Sequence, residues 1–379
     1  MQFIENYPLI NHNTFGLKVY ADSFFSFENE EELLMFLEGD EVSGRPKFIL
    51  GGGSNVLFTK DYPGIIIHSK IETIQEIEQD TESITFRVGS GLEWDKFVEY
   101  CVDKKYYGIE NLSLIPGNVG AAPVQNIGAY GTEIKDFIVG VTAYNLNTKE
   151  KIYFSNTECC FAYRNSVFKK DIYKDYIITT VDFKLFKMPA YKRKIQNYQG
   201  VIILGYINHY RELVLDLLRA IRTIKINFKR KAVSIDYRLL KNIFENSGLV
   251  SLRKTRRTII NKRNSKIPSP KHIGNVGSFF KNPIIDIAMS KSIKRKFPKA
   301  IIYPLDEFSV KISAGWLIKQ VNLNASFQSN VGLYKDQTLI IINKGDATGK
   351  EIYDFSQHIV ERVYDKFKIL LEREVVVIK

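Results

Sequence analysis

The chain has 379 residues, 45% of them hydrophobic, enough to bury a large core and to divide into two or three domains. Three cysteines, two of them adjacent at Cys159 and Cys160, exclude a disulfide framework and point to a reducing cytoplasm, while the start MQFIENYPLI lacks a basic, apolar leader pattern and no run approaches the ~20 apolar residues of a membrane span. The net charge of +12 is local: residues 187–266 hold 20 Lys or Arg against 4 acidic residues, which leaves the rest of the chain at −4.

In chain order, residues up to 68 alternate a helix-like run (31–38) with strand-like runs (48–51 and 64–68), as a small βαβ unit would. From 71 to about 185, short β-branched stretches such as 84–88 and 177–181 are separated by turn signals and predict an α+β second lobe. The basic segment follows. Its positive charge fits a solvated insertion better than a nucleic-acid site, because it has no zinc-knuckle or RNP-like pattern. A third lobe is expected over 266–343. Thr348 with Glu351 makes a capping box, Ile352, Phe355, Ile359, Val363 and Phe367 repeat at helical spacing, and 369–378 reads as a strand.

Two segments are rich in glycine and amide residues. Gly51, Gly52, Gly53, Ser54 and Asn55 follow an apolar strand-like run directly, where successive N–H groups can form an anion-binding nest. In the longer segment, Pro116, Gly117, Gly120, Ala121, Gln125, Asn126, Gly128, Ala129 and Tyr130 bring the backbone close to a flat or anionic group, with amide side chains adding hydrogen bonds. Two such nests suit a dinucleotide. Neither is a G-x-G-x-x-G or P-loop fingerprint.

The order ILGGGSNVLF, LIPGNVGAAPVQNIGAYG, Tyr163-Arg-Asn-Ser166, Gly277-Ser-Phe-Phe-Lys-Asn-Pro283 and Ala314-Gly-Trp-Leu-Ile318 resembles the UDP-N-acetylenolpyruvoylglucosamine reductase family, in the form with a mobile tyrosine loop, from His12 to Glu374. The resemblance implies an FAD-binding fold of the PCMH/vanillyl-alcohol-oxidase type with a separate α/β substrate-binding domain. The expected divisions are FAD-binding subdomains at 1–68 and 69–186, the basic insertion with the tyrosine loop at 187–265, a substrate-binding domain at 266–345, and a C-terminal helix and strand at 346–379. It further implies NADPH-driven reduction of UDP-N-acetylglucosamine enolpyruvate by a cytoplasmic enzyme of peptidoglycan synthesis, a monomer without a specific nucleic-acid partner.

Reducing an enol-ether double bond takes a hydride donor, a proton donor and positive charge beside the carboxylate. A flavin supplies the hydride, since no side chain can. By resemblance Ser278 is the proton donor, Arg164 the catalytic arginine and Glu374 the catalytic glutamate, with Glu372 two residues earlier on the same strand face. The family's proline between these glutamates is Arg373 here, and its basic residue two after the second is Val376. The nucleotide-sugar set maps to Tyr163, Tyr237, Lys266, Asn282, Tyr303, Lys311 and Gln337, with Tyr237 preferred over Tyr198, the tyrosine of a similar preceding unit. Bulky Phe279 and Phe280 after Ser278 disfavour a nucleophile elbow, hence a hydrolase. Five scattered histidines show no metal-ligand spacing. Two other readings stay open: a different flavin oxidoreductase on the same fold, and a basic nucleic-acid-binding protein with a decayed enzyme site.

Overall fold

The computed structural model describes residues 1–39, 42–187, 252–321, 323, 330–335 and 337–379; Tyr198, Tyr237 and most of the basic segment lie outside the described residues. β1 (Gln2–Pro8) and β2 (Tyr20–Phe27) pair antiparallel, and β2 continues the sheet to β5 (Tyr62–Ser69) and β3 (Lys47–Ile49), all three running parallel. Helix α1 (Glu30–Glu38) carries the chain from β2 to β3, so the expected βαβ unit is present. Asn29 starts α1 by accepting the Glu32 N–H at 2.9 Å, and three glutamates in the first turn face the positive end of the helix dipole. Its Leu33, Phe36 and Leu37 pack on Phe25 and Phe27, with the Phe25 and Phe36 rings stacked at 3.6 Å. Ile65, Ile66 and Ile67 are all fully buried, because β5 is covered on both faces.

The second lobe is an antiparallel sheet in the order β11 (Lys151–Ser155), β10 (Ile138–Asn145), β12 (Tyr176–Phe186), β7 (Ser83–Gly89), β6 (Ile74–Gln79). Its core side packs on α2 (Trp94–Asp103), through Trp94, Phe97, Val98 and Cys101. A two-residue hairpin, β8 (Gly128–Ala129) with β9 (Thr132–Glu133), projects the Tyr130-Gly131 turn.

Helix α3 (Leu252–Lys266), the described end of the basic segment, corrects one expectation: it is docked on the second lobe rather than a solvated face. Leu252, Thr255, Arg256 and Ile259 form one buried stripe at helical spacing. Arg256 lies on that stripe because it forks onto both Asp95 oxygens, at 2.6 and 2.8 Å. Asp95 also accepts the Leu114 N–H at 2.5 Å, and Arg263 Nε donates to the Leu114 carbonyl at 3.1 Å. The basic helix therefore clamps the start of the longer glycine-rich segment.

The remaining elements are a three-stranded sheet, β13 (Ile284–Asp286), β15 (Ser309–Ile312) and β14 (Ile302–Pro304); a hairpin of β16 (Val331–Tyr334) and β17 (Gln337–Asn343); and helices α4 (Ile287–Lys296), α5 (Ala314–Gln320) and α6 (Gly349–Phe367). α6 begins with the expected capping box: Glu351 N–H donates to Thr348 Oγ1 and Thr348 N–H to Glu351 Oε2. Its five periodic apolar residues are buried in one core with Phe279, Phe280 and Trp316, and with Leu9, Phe24 and Leu57 of the first lobe.

The expected strand over 369–378 is shorter. β18 (Val376–Ile378) pairs parallel with β4 (Val56–Phe58), Arg373 makes a single bridge to Phe280, and Glu374 and Val375 form a bend between them. That bend overturns the shared face expected for the two glutamates. The Glu372 side chain is 70% exposed and pairs with Lys281, whereas Glu374 is 13% exposed and faces inward.

Candidate active site

Gly52 and Gly53 show why the nest has no side chains. A Cβ on Gly52 would stand 2.8 Å from Asn118 Oδ1 and 2.9 Å from Gly117 Cα, while Gly53 has φ +63° and its Cβ would fall 1.9 Å from the His12 carbonyl oxygen. The two glycine-rich segments thus close directly on each other. Ser54 Oγ donates to the Pro116 carbonyl at 3.1 Å, and Asn55 Nδ2 donates both to Gln125 Oε1 at 2.9 Å and to the Glu374 carbonyl at 3.1 Å.

Between them opens a cavity of about 710 Å³ lined by Gly51, Gly52, Gly53, Ser54, Asn55, Pro116, Gly120, Ala121 and Gln125 from the sequence-predicted set. It is walled further by Trp94, Asn118, Phe168, Lys169 and Val376. Gly117, Asn126, Gly128, Ala129 and Tyr130 are not in this wall. Asn126 is fully buried with φ +45°, and its amide bonds to Glu133, the Ala162 carbonyl and the Lys135 N–H. Tyr130, instead, lies beneath the Lys262 ammonium, 4.8 Å from its ring centroid. The close backbone approach and the cradle that a Cβ would fill fit a planar cofactor with an anionic linker.

Beside the cavity sits the charged cluster. Arg164, in the left-handed region at φ +51°, directs Nε to Glu374 Oε1 at 2.9 Å and Nη2 to the Gly128 carbonyl at 2.8 Å. Burial pushes the Glu374 carboxyl above the usual carboxylate range, opposed by the positive charges of Arg164, Lys169 and Lys281. Ser278 is exposed and follows Gly277, whose φ is +72°. The residues after it are tied by backbone bonds to the segment of the glutamates and to β17: Phe279 N–H donates to the Leu339 carbonyl, Glu374 N–H to the Phe279 carbonyl and Lys281 N–H to the Glu372 carbonyl, each at 2.9 Å. Phe279 and Phe280, both essentially unexposed, anchor that turn in the core.

Arg373 stands where the family resemblance implies a proline. Its guanidinium turns onto α6, reaching Ser356 Oγ at 2.9 Å and Gln357 Oε1 at 2.8 Å over the Tyr353 ring. It fixes the segment by side-chain bonds where proline would fix it by ring closure.

A second cavity of about 570 Å³ is lined by Tyr163, Lys281, Asn282 and Glu372 among others. The Lys311 ammonium lies 3.6 Å from the Tyr163 ring centroid, and Tyr303 is cross-strand neighbour to Lys311 in the sheet. Burial raises the Tyr163 phenol and lowers the Lys311 ammonium from their ordinary values. Asn282 Oδ1 accepts the Ala314 N–H at 3.0 Å. Gln337 begins β17 beside Gly315, and Lys266 is at the exposed end of α3. Lys169, which sequence reasoning missed, follows the Tyr-Arg-x-Ser run by three residues; its signal was a lysine directly after the apolar pair Val167-Phe168.

A nest-lined cavity joined to a buried Arg–Glu pair is the arrangement of a flavin-dependent oxidoreductase, and residues 21–149 match the family described as FAD binding domain. Residues 269–378 match UDP-N-acetylenolpyruvoylglucosamine reductase, C-terminal domain. The chain is 38% identical over 378 residues to the Flavobacterium johnsoniae UDP-N-acetylenolpyruvoylglucosamine reductase, covering 100% of both, and 35% identical over 376 residues to that of Porphyromonas gingivalis, covering 99% of both. It belongs to the UDP-N-acetylenolpyruvoylglucosamine reductase family. The fold agrees with the crystal structure of the Thermus caldophilus enzyme (MurB), at TM-score 0.59 and 19% identity over 100% of this chain and 98% of that one. Among the described residues no helix is long and apolar enough to cross a membrane.

Proposed function

We propose that the chain reduces UDP-N-acetylglucosamine enolpyruvate to UDP-N-acetylmuramate with electrons from NADPH, in the cytoplasm, as a monomer, in peptidoglycan synthesis for cell-wall growth and division. The buried Arg164–Glu374 pair, set between the glycine-lined cavity and the turn that carries Ser278, supports this reading best. FAD, held by the backbone of residues 51–55 and by Gly120, Ala121 and Gln125, supplies the hydride when bound.

The protein's own residues do the rest. Arg164 presents a planar guanidinium to the carboxylate of the enolpyruvyl group, where negative charge grows as the double bond is reduced. Glu374 orients that guanidinium through Oε1 and, as a carboxylate, polarises the reacting carbons. Ser278 Oγ–H gives its proton to the remaining carbon; the nearby positive charge of Arg164 stabilises the alkoxide that a serine otherwise releases reluctantly. Tyr163, Asn282, Tyr303, Lys311 and Gln337 hold the nucleotide sugar. Lys266 at the end of α3 and Tyr237, outside the described residues, are assigned to the same nucleotide sugar, and the basic segment is proposed to have no specific nucleic-acid partner.

Purified protein should show flavin absorbance that NADPH bleaches, and should consume NADPH over repeated turnovers only when the enolpyruvyl nucleotide sugar is added. Flavin without substrate-dependent turnover would favour a different oxidoreductase on this fold.

A further inference from the structure

Lys169 is a cation beside the Arg164–Glu374 pair to which the reaction above gives no task. It ends a short helical turn, Val167–Lys169, that starts at Ser166. Ser166 Oγ donates to the Val124 carbonyl at 2.7 Å, which fixes the turn to the longer glycine-rich segment and puts Lys169 in the cavity wall. An ammonium withdrawn from water normally seeks a carboxylate. This one donates to a backbone carbonyl, that of Arg164, at 3.3 Å.

Two consequences follow from that placement. Arg164 is a non-glycine residue with a left-handed backbone, a conformation that persists only where its surroundings hold it; the Lys169 bond holds its carbonyl, while the bonds to Gly128 and Glu374 hold its guanidinium. Second, Lys169 contributes to the field on Glu374. The charged and titratable groups facing that carboxyl are Arg164, Tyr163 and Lys169 from the 163–169 segment and Lys281 from the turn after Ser278; Glu372 is turned outward and pairs with Lys281. Since Glu372 draws on Lys281, Arg164 and Lys169 are left as the principal positive partners of Glu374.

We infer that Lys169 is a positioning residue of the reductive site: its ammonium secures the backbone turn that aims Arg164 and adds positive charge facing the Glu374 carboxyl. The inference rests on the reading of Arg164 and Glu374 as the reacting pair. Burial lowers the Lys169 ammonium, with Lys281 next among the causes, as suits a cation built into the wall.

The experiment compares Lys169→Met with Lys169→Arg in the full chain. Flavin content is read from visible absorbance, flavin bleaching by NADPH from rapid mixing, and the pH profile from turnover of the enolpyruvyl nucleotide sugar. Lys169→Met should keep flavin content and bleaching within about two-fold, lose about ten-fold in turnover near neutral pH, and move the acid limb up by about one pH unit, because an unshielded buried carboxyl protonates sooner. Lys169→Arg should recover most of the turnover and the original limb. A Lys169→Met protein with the parental pH profile, or one that has shed its flavin, overturns the inference. In a Glu374→Gln background, Lys169→Met should shift the limb no further; an equal shift there also overturns it. If Glu374→Gln alone turns over like the parent, the reacting pair is misassigned, and the inference falls with it by a result separable from a silent Lys169.

Discussion

Between residues 51–55 and 116–125 the cavity wall is backbone and short neutral side chains, closed by Ser54–Pro116 and Asn55–Gln125 bonds, while Arg45, Lys47, Lys169 and Lys174 bring positive charge to the rest of the lining. The neighbouring cluster has the opposite make-up: Arg164, Lys169 and Lys281 surround Glu374, and burial raises that carboxyl against their pull. The contrast follows from what each must do. A cofactor that stays bound is gripped by many N–H groups requiring only close approach, whereas charge appearing during a reaction needs full charges fixed in advance.

Ser278→Ala should separate the two regions most sharply, losing about 10²–10⁴-fold in turnover of enolpyruvyl substrate while flavin content and its reduction by NADPH persist. An equal loss of flavin reduction would show that Ser278 serves the cavity side. Glu374→Gln is expected to cost about 10²–10³-fold in turnover, and Glu372→Gln less than about two-fold, since Glu372 is largely in water beside Lys281. Steady-state kinetics of the pair tests this, and similar effects would break the distinction that the bend makes.

On the cavity side, Gly53→Ala should weaken FAD binding by at least about ten-fold, because the added Cβ meets the backbone carbonyl of His12. Titration of apo-protein with FAD measures it, and unchanged affinity would remove the nest from the binding surface. The smallest effect is expected beneath that loop. His12 accepts or donates a hydrogen bond with the Tyr7 hydroxyl at 3.1 Å, and burial, then His68 and Lys70, bring its imidazole from 6.5 down to about 4. The unfolded chain binds a proton there below about pH 6.5 and the folded chain does not, so this stability is present above that pH and lost as pH falls towards 4. With His12 partly in water, about 1–2 kcal/mol is at stake. Denaturant midpoints of the parent and His12→Gln should converge in acid; a constant gap would exclude His12 as the titrating group.

Much of this was legible in residue order. Local signals act over a few bonds, so the capping box at Thr348, the stripe of α6 and the runs that became α1, β3 and β5 needed no distant partner to be read, whereas β2 was not read at all. The glycine-rich segments were equally plain as a demand for close approach. Which of their residues would face a ligand was not: Gln125 lines the cavity while Asn126, its neighbour with φ +45°, is sealed into the core, its amide held by Glu133, Ala162 and Lys135. Strand alternation likewise placed Glu372 and Glu374 on one face, and a bend set by the Phe279 and Asn55 contacts sent them apart. Segment charge suggested a solvated basic insertion, yet Arg256 found Asp95 some 160 residues earlier in the chain and α3 is docked by it. Composition and spacing thus determined the elements and the chemistry they could carry, through interactions local in sequence. The tertiary structure decided which charges meet and which amides are spent, because ion pairs and buried hydrogen bonds depend on distances between segments remote along the chain.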